Sequence, residues 1–424
     1  MSLLLSLYAK GMDLAGPLLI RHLKSRVATG KEDADRLGER YGETSLLRPA
    51  GKLVWCHAAS VGEAMSLLPL VKALLAGHPD LHALVTSGTL TSAAILKQRL
   101  PPQAFHQFVP LDRPAWVRRF LDHWRPDLVL WIESEIWPNF LTEIGRRAIP
   151  AALVNGRLSV SSARWWQLVA PTLRQLLGVF TVRLAQSEAD RERWDRFLPF
   201  TFAGNLKFAV EAPPADPSAL AGLRELLAGR PIWLAANTHA DEEARSLAVH
   251  ADLHRRYPGL LTIVVPRHPE RGSALRELAE KAGLSVALRS ENTSLSPATD
   301  IYIADTLGEL GTFYELAPIA YIGGSFGQGG HSPVEAALLG NAIVFGPDMR
   351  NNAGIATLLR ERGAAMQIED TRRLTEIIDG WLRDPAAAAA MAEKARTIAV
   401  AEAQVLPRVL AALAPLLSMA GLAP

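Results

Sequence analysis

A glycine-rich stretch following an apolar run is the part of this chain best suited to hold an anion. Gly323-Gly324-Ser325-Phe326 and Gly329-Gly330-His331-Ser332-Pro333-Val334-Glu335 come after Ile319-Ala320-Tyr321-Ile322. The order predicts a buried strand, a loop and the first turn of a helix, with Ser332 as N-cap, Pro333 at the first helical position and Glu335 at the third. Glycines let backbone approach a ligand closely, and the free N–H groups of a helix start favour negative charge. The Glu335 carboxylate can accept hydrogen bonds from ribose hydroxyls, so the whole stretch suits a nucleotide carrying a phosphate. The plainer alternative is a capping box, with Glu335 bonded back to the Ser332 N–H. Two neighbours favour the ligand. Thr306-Leu307-Gly308-Glu309, leading into Leu310, repeats the strand–turn–helix arrangement, and Ile343-Val344-Phe345-Gly346-Pro347 is a third glycine-bearing strand end. Several such ends mark the carboxyl edge of an open parallel sheet, where ligands bind.

A second set of chemical groups lies earlier. His57-Ala58-Ala59-Ser60-Val61-Gly62-Glu63 closes an apolar run and opens a helix. Glu63 is either a cap on that helix or a carboxylate able to take a proton from an acceptor hydroxyl. In Trp131-Ile132-Glu133-Ser134-Glu135-Ile136-Trp137-Pro138, a period of two puts Glu133 and Glu135 on one side of an extended segment. Two acids at an apolar edge are costly unless they bind something; the alternative is a pair of helix-start carboxylates. Lys207, in Gly204-Asn205-Leu206-Lys207-Phe208, and Arg267-His268, after the apolar run ending Val265-Pro266, are cations at strand ends. An arginine there can grip phosphate or carboxylate in bidentate fashion. Ala236-Asn237-Thr238-His239 ends the preceding strand; for His239 and His268 a structural role is the alternative. The one literal D-x-D, Asp33-Ala34-Asp35, falls in a charged helical run rather than at a strand end, and reads as solvent face. No metal site is expected.

These groups need sheets to position them. From Lys52 to about Phe208, short apolar runs alternate with helical periodicity. The pattern predicts strands over 53–58, 81–86, 107–110, 128–132, 151–154, 180–185 and 200–203. It predicts a parallel sheet covered by helices. The proline-rich stretch 211–217 interrupts the pattern as a linker. Alternation then resumes, with strands over 232–235, 261–265, 285–288, 301–303, 320–322, 343–345 and 365–368. The expected organisation is a membrane-associating helix (1–30), a Rossmann-like domain (31–210), the linker, a second Rossmann-like domain (218–384) and a helical tail (385–424). This is an α/β architecture of two doubly wound domains facing a cleft, as in GT-B glycosyltransferases.

Composition narrows the class. With 424 residues, 49% apolar and 21% charged, the chain is a folded protein of more than one domain. A net charge of +2 gives no basis for nucleic-acid binding. The single cysteine, Cys56, excludes a disulfide framework and a cysteine-based zinc site, and its apolar setting predicts an inert buried thiol. Met1 to Leu23 is leucine-rich but broken by Lys10 and Asp13, and Arg21, His22, Lys24, Arg26 and Lys31 follow. An apolar helix beside a basic cluster predicts attachment to an anionic lipid surface; the alternative is an amphipathic helix packed on the protein itself.

The segments around Glu63, Glu133, Asn155-Gly156-Arg157, Lys207, Arg267, Asp305–Leu310 and Gly323–Glu335 occur in the order and spacing of the 3-deoxy-D-manno-octulosonic acid (Kdo) transferases, which the chain resembles over about residues 1 to 380. The resemblance implies inverting transfer of Kdo from CMP-Kdo to a lipid A precursor (lipid IVA) at the cytoplasmic face of the Gram-negative inner membrane. No separate cofactor is implied. It implies Glu63 as general base, with Glu133 and Lys207 supporting charge in the transition state. Arg267, His268, Gly308, Glu309, Leu310, Ser332, Pro333, Val334 and Glu335 would hold CMP. Ser332 stands where the family usually has Asn, Ala336 where it has Pro, and Asn205 where Ser is commoner. A nucleotide-sugar epimerase or another GT-B enzyme is the alternative; so is a membrane-tethered nucleotide-binding protein without turnover.

Overall fold

The computed structural model of the chain describes residues 2–133, 135–209, 212–291 and 295–422. Two compact units share the chain: Met1–Ala209 with Gln404–Pro424, and Val210–Ala403.

The first unit carries seven parallel strands: β1 (Lys52–His57), β2 (Leu81–Ser87), β3 (Ala104–Phe108), β4 (Leu128–Ile132), β5 (Ala151–Gly156), β6 (Val182–Ala185) and β7 (Thr201–Phe202), in the order β3-β2-β1-β4-β5-β6-β7. Parallel strands covered on both faces must be apolar throughout rather than alternating. Accordingly Leu53-Val54-Trp55-Cys56 and every residue of β4 are buried. Burial pushes the Cys56 thiol well above its ordinary range, which makes it the inert group expected. The second unit repeats the plan with β8 (Ile232–Thr238), β9 (Leu261–Pro266), β10 (Val286–Leu288), β11 (Ile301–Ile303), β12 (Ile319–Ile322), β13 (Ala342–Phe345) and β14 (Ala365–Gln367), ordered β10-β11-β9-β8-β12-β13-β14. All fourteen predicted strands are present; the third starts earlier than expected, at Ala104.

Both sheets reverse winding direction once. In the first unit the chain runs outward from β1 through β2 to β3, then resumes at β4 on the other side of β1. In the second, β9, β11 and β10 lie on one side of β8, and β12 to β14 on the other. The switch points therefore fall at β1/β4 and β8/β12. Loops leaving the carboxyl ends of two such strands diverge there and leave a crevice.

The termini differ from the sequence-based expectation. Residues 1–30 do not form one helix. Helices Leu3–Leu14 and Gly16–Ala28 meet at a 57° bend. Leu5 is buried in the first unit's core, and the Tyr8 hydroxyl donates to Asp112 Oδ2 (3.1 Å), so the segment is docked on the protein. Leu3, Leu4, Leu7, Leu14 and Leu18 remain exposed. The tail is likewise part of the units. Val405, Val409, Leu413 and Leu416, one stripe of the helix Val405–Met419, complete the first unit's core, while the helix Pro385–Ala403 lies against β13. By length and composition the run Pro385–Met419, and the bent N-terminal pair taken together, are long and apolar enough to cross a membrane. The D-x-D is not helical. It forms a turn in which the Asp35 N–H donates to Asp33 Oδ1 (3.0 Å). Glu211, at the head of the expected linker, lies outside the described residues.

Candidate active site

Glu63 stands in the first turn of the helix Val61–Gly77, directly after β1. Ser60 is the N-cap, its Oγ accepting the Glu63 N–H (3.3 Å). The Glu63 carboxylate in turn accepts the Ala59 N–H (2.8 Å) and the Ser60 hydroxyl (2.9 Å). Capping and chemistry are thus not alternatives, because the cap fixes the carboxylate's position. Burial raises the Glu63 pKa above the ordinary carboxylate value. Its hydrogen bonds oppose that shift, and the like charges of Glu133 and Glu135 add to it. A base of raised basicity that is held rigidly suits proton abstraction.

Glu133 follows β4, across the switch point from Glu63. The extended segment predicted for it is not observed: Glu133 has φ 59, in the left-handed region. Backbone strain at a non-glycine residue is characteristic of functional sites. Glu135 is directed elsewhere, its Oε2 accepting the Trp137 indole N–H (2.6 Å) and its carbonyl accepting that of Trp131. Lys207 Nζ stands 3.4 Å from Glu133 Oε1, an ion pair without hydrogen-bond geometry, and a Cβ added at Gly62 would lie 4.0 Å from the same nitrogen. Glu63, Glu133 and Lys207 therefore converge. Lys207 is positioned by two asparagines. Asn155 Oδ1 accepts the Leu206 N–H (2.9 Å), and Asn205 Oδ1 accepts the Lys207 N–H (3.0 Å). His57, at the end of β1, packs on Trp131, and burial lowers its pKa to about 3, so it is neutral.

The second switch point is built differently. His239, after β8, His268, after β9, and His331, in the loop after β12, form one cluster. His239 and His331 stack with centroids 5.4 Å apart and Nε2 atoms 3.2 Å apart; His268 meets His239 edge-on at 5.9 Å. Burial, then the Arg267 charge, lowers the His331 pKa to about 4. Arg267 is exposed, and no hydrogen bond or ion pair holds its guanidinium among the described residues. Glu335 shares this neighbourhood: burial raises its pKa while Arg267 lowers it, and no described group bonds its carboxyl.

The capping frame expected around Glu335 is absent. The helix begins at Val334 with Pro333 as N-cap, and Ser332 Oγ only accepts the Val334 N–H (3.3 Å). The glycine loop itself is held by Glu242, which the sequence reading passed over. Its buried carboxylate accepts the N–H groups of His239 (3.0 Å), Gly324 (2.7 Å), Ser325 (2.8 Å) and Phe326 (3.3 Å), and the Tyr321 hydroxyl (2.7 Å). The available signal was its place three residues after His239, in a capping box. Gly323 is required by closeness, since a Cβ there would meet the Asn237 carbonyl oxygen at 2.5 Å. Of the other expected contacts, Glu309 is engaged by Arg289 in a fork (2.6 and 3.1 Å) and by the Thr306 hydroxyl. Gly308 and Leu310 share its loop after β11, and no described contact ties these three to the histidine cluster.

Two Rossmann-like units, each a doubly wound parallel sheet with one switch point, define the GT-B class of fold. At the level of fold the chain is similar to the UDP-GlcNAc 2-epimerase of Neisseria meningitidis, with TM-score 0.51 and 13% identity over 85% of this chain and all of that one. Sequence separates the activities. Residues 35–210 match the family model of 3-deoxy-D-manno-octulosonic-acid transferases. The chain is 37% identical to a 3-deoxy-D-manno-octulosonic acid transferase of Rickettsia bellii, over 85% of this chain and 86% of that one. It is 36% identical to a probable mitochondrial transferase of the same name from Arabidopsis thaliana, over 87% and 86%. The chain belongs to the Kdo transferase family and is a glycosyltransferase.

Proposed function

We propose that the chain transfers Kdo from CMP-Kdo to a lipid A precursor, with inversion, at the cytoplasmic face of a Gram-negative inner membrane. The observation that carries the reading is Glu63, a rigidly capped carboxylate of raised basicity at the first switch point. Glu63 takes the proton of the acceptor hydroxyl as its oxygen forms a bond to the anomeric carbon, and CMP leaves with the electron pair of the broken bond. Lys207, held by Asn155 and Asn205 beside Glu133, supplies positive charge for the charge developing in that step. Arg267 and His268 hold the phosphate, the glycine loop lets backbone approach it, and Glu335 accepts from the ribose. Ser332, Pro333 and Val334 place Glu335, while Gly308, Glu309 and Leu310 contribute through the neighbouring loop. One phosphate leaves, so a guanidinium and backbone N–H groups suffice without a metal or other cofactor in the transfer. The exposed leucines of residues 3–18 and the basic residues after them would rest on anionic lipid and present the acceptor.

The test is incubation with CMP-Kdo and lipid IVA in detergent, with EDTA present, followed by mass spectrometry of the lipid. The expected product is heavier by whole Kdo units, and CMP, not UDP or GDP, raises the melting temperature. An unmodified lipid, or a strict Mg²⁺ requirement, defeats the reading.

A further inference from the structure

The helix Ala240–His254 serves the nucleotide end of the second unit through its first turn, where Glu242 organises the glycine loop. Its other end carries a group of side chains that the transfer does not use. His250 and His254, one helical turn apart, face Asp300, which immediately precedes β11. At 15 residues the helix is about 22 Å long. This group therefore lies at the amino edge of the sheet, far from the histidine cluster at the carboxyl edge.

His250 is fully buried and its Nε2 has no hydrogen-bond partner; His254 Nδ1 is also buried and unpartnered. Asp300 Oδ1 stands 3.7 Å from the first and 3.5 Å from the second, too far for either to be a hydrogen bond. Two buried, unpartnered imidazole nitrogens facing a carboxylate oxygen beyond hydrogen-bond reach are costly unless something lies among them. All three lie within 4.8 Å of one another. Donors about 2.0–2.2 Å from a tetrahedral ion stand roughly 3.3–3.6 Å apart. The outer contacts orient the ligands as metal sites require. His250 Nδ1 is held by Thr262 Oγ1 (2.8 Å), and Asp300 Oδ2 accepts the Ser285 N–H (2.9 Å) and hydroxyl (2.8 Å), leaving Oδ1 free. Arg230, the nearby cation, is directed to the carbonyls of Gly259, Leu260, Ser296 and Thr299.

We infer that His250, His254 and Asp300 form a binding site for a divalent transition metal ion of the Zn²⁺ class, which fastens the end of this helix to the sheet. Two imidazoles and one carboxylate suit Zn²⁺, Co²⁺ or Ni²⁺ rather than Mg²⁺ or Ca²⁺. His254 is 44% exposed, so an ion can enter and water can complete its coordination. The role is structural, and it stands whichever nucleotide sugar the enzyme uses.

The test uses full-length protein stripped with a chelator and titrated with Co²⁺, then Zn²⁺. One Co²⁺ per chain should bind with visible absorption of tetrahedral type, Zn²⁺ should displace it, and either ion should raise the melting temperature. In His254→Gln and Asp300→Asn, both at partly exposed positions, Co²⁺ affinity should fall by roughly 100-fold or more, with cooperative melting of the stripped protein retained. Initial transfer rates below the melting range should not change on stripping. Failure of the wild type to bind Co²⁺, or equal binding by both variants, overturns the site. A transfer rate lost on stripping and restored by metal in both variants places the ion at the reaction centre and also overturns it.

Discussion

The first unit gathers acids around one lysine; the second gathers three imidazoles beside a guanidinium, whose charge also reaches Glu335. Both sets sit where a doubly wound sheet reverses direction, so topology chose the place and side chains chose the task. At β1/β4 burial raises the basicity of Glu63 and the neighbouring acids add to it, a setting suited to proton abstraction. At β8/β12 the groups suit a bound anion, with glycine backbone in place of side-chain bulk. Under the proposed function, the same architectural crevice is a chemical site in one unit and a holding site in the other.

The largest effect that could break this division is the loss of the base. Glu63→Gln is isosteric and keeps one of the two acceptor oxygens, and it should lower transfer by about 10²–10⁴-fold, with CMP affinity by calorimetry unchanged. Wild-type turnover in that variant would reduce Glu63 to a helix cap. The reciprocal change is Arg267→Ala, which should weaken CMP binding by on the order of 1.5–3 kcal/mol. Its melting temperature should hold, because among the described residues no hydrogen bond or ion pair holds the exposed guanidinium. Unaltered CMP affinity would move the nucleotide away from the second switch point.

A smaller effect sharpens the contrast at the surface. Large exposed apolar side chains concentrate in the first unit, including Leu4, Leu7, Leu18, Trp165 and Leu168. A leucine fully buried in an apolar phase contributes about 1.5–3 kcal/mol, so replacing Leu4, Leu7 and Leu18 together with Ser should reduce sedimentation with anionic vesicles by about tenfold or more. Melting should be little altered, whereas Leu5→Ser, at a buried position, should destabilise the fold. Equal sedimentation would leave the apolar face without a lipid role. The smallest effect is electrostatic. The Glu63 carboxyl must be ionised to act, so transfer should decline as pH falls through a pKa above the ordinary glutamate value. Glu133→Gln removes a like charge and should move that acid limb to lower pH, whatever it does to the maximal rate. A limb that stays in place would show that Glu133 does not bear on Glu63.

How far the sequence carries depends on the range of the interaction concerned. Strand positions follow from local apolar runs bounded by turn residues, and all fourteen were legible for that reason. Glu63, Glu133 and Lys207 were legible as chemical groups at strand ends. Their convergence was not, because it takes Asn155, some fifty residues earlier on β5, to hold the turn that carries Lys207 against that strand. Local propensity misplaced the helix start, which falls at Val334 with Pro333 as N-cap rather than at Pro333 with Ser332, and the anchoring of the glycine loop by Glu242, some eighty residues away in sequence, was not legible. The D-x-D turn misled in the same way: charged residues at helical spacing carried no apolar stripe strong enough to hold a helix.

By itself the sequence determined two doubly wound sheets, the strand ends that bear chemistry and, through ordered motifs, a sugar transferase. Those features depend on residues adjacent in the chain. Tertiary structure alone decided which strand ends are neighbours, that Glu242 ties down the glycine loop, that the first helix is bent and docked, and that His250, His254 and Asp300 meet. Each of these is a contact between segments whose separation in sequence carries no record of their distance in space.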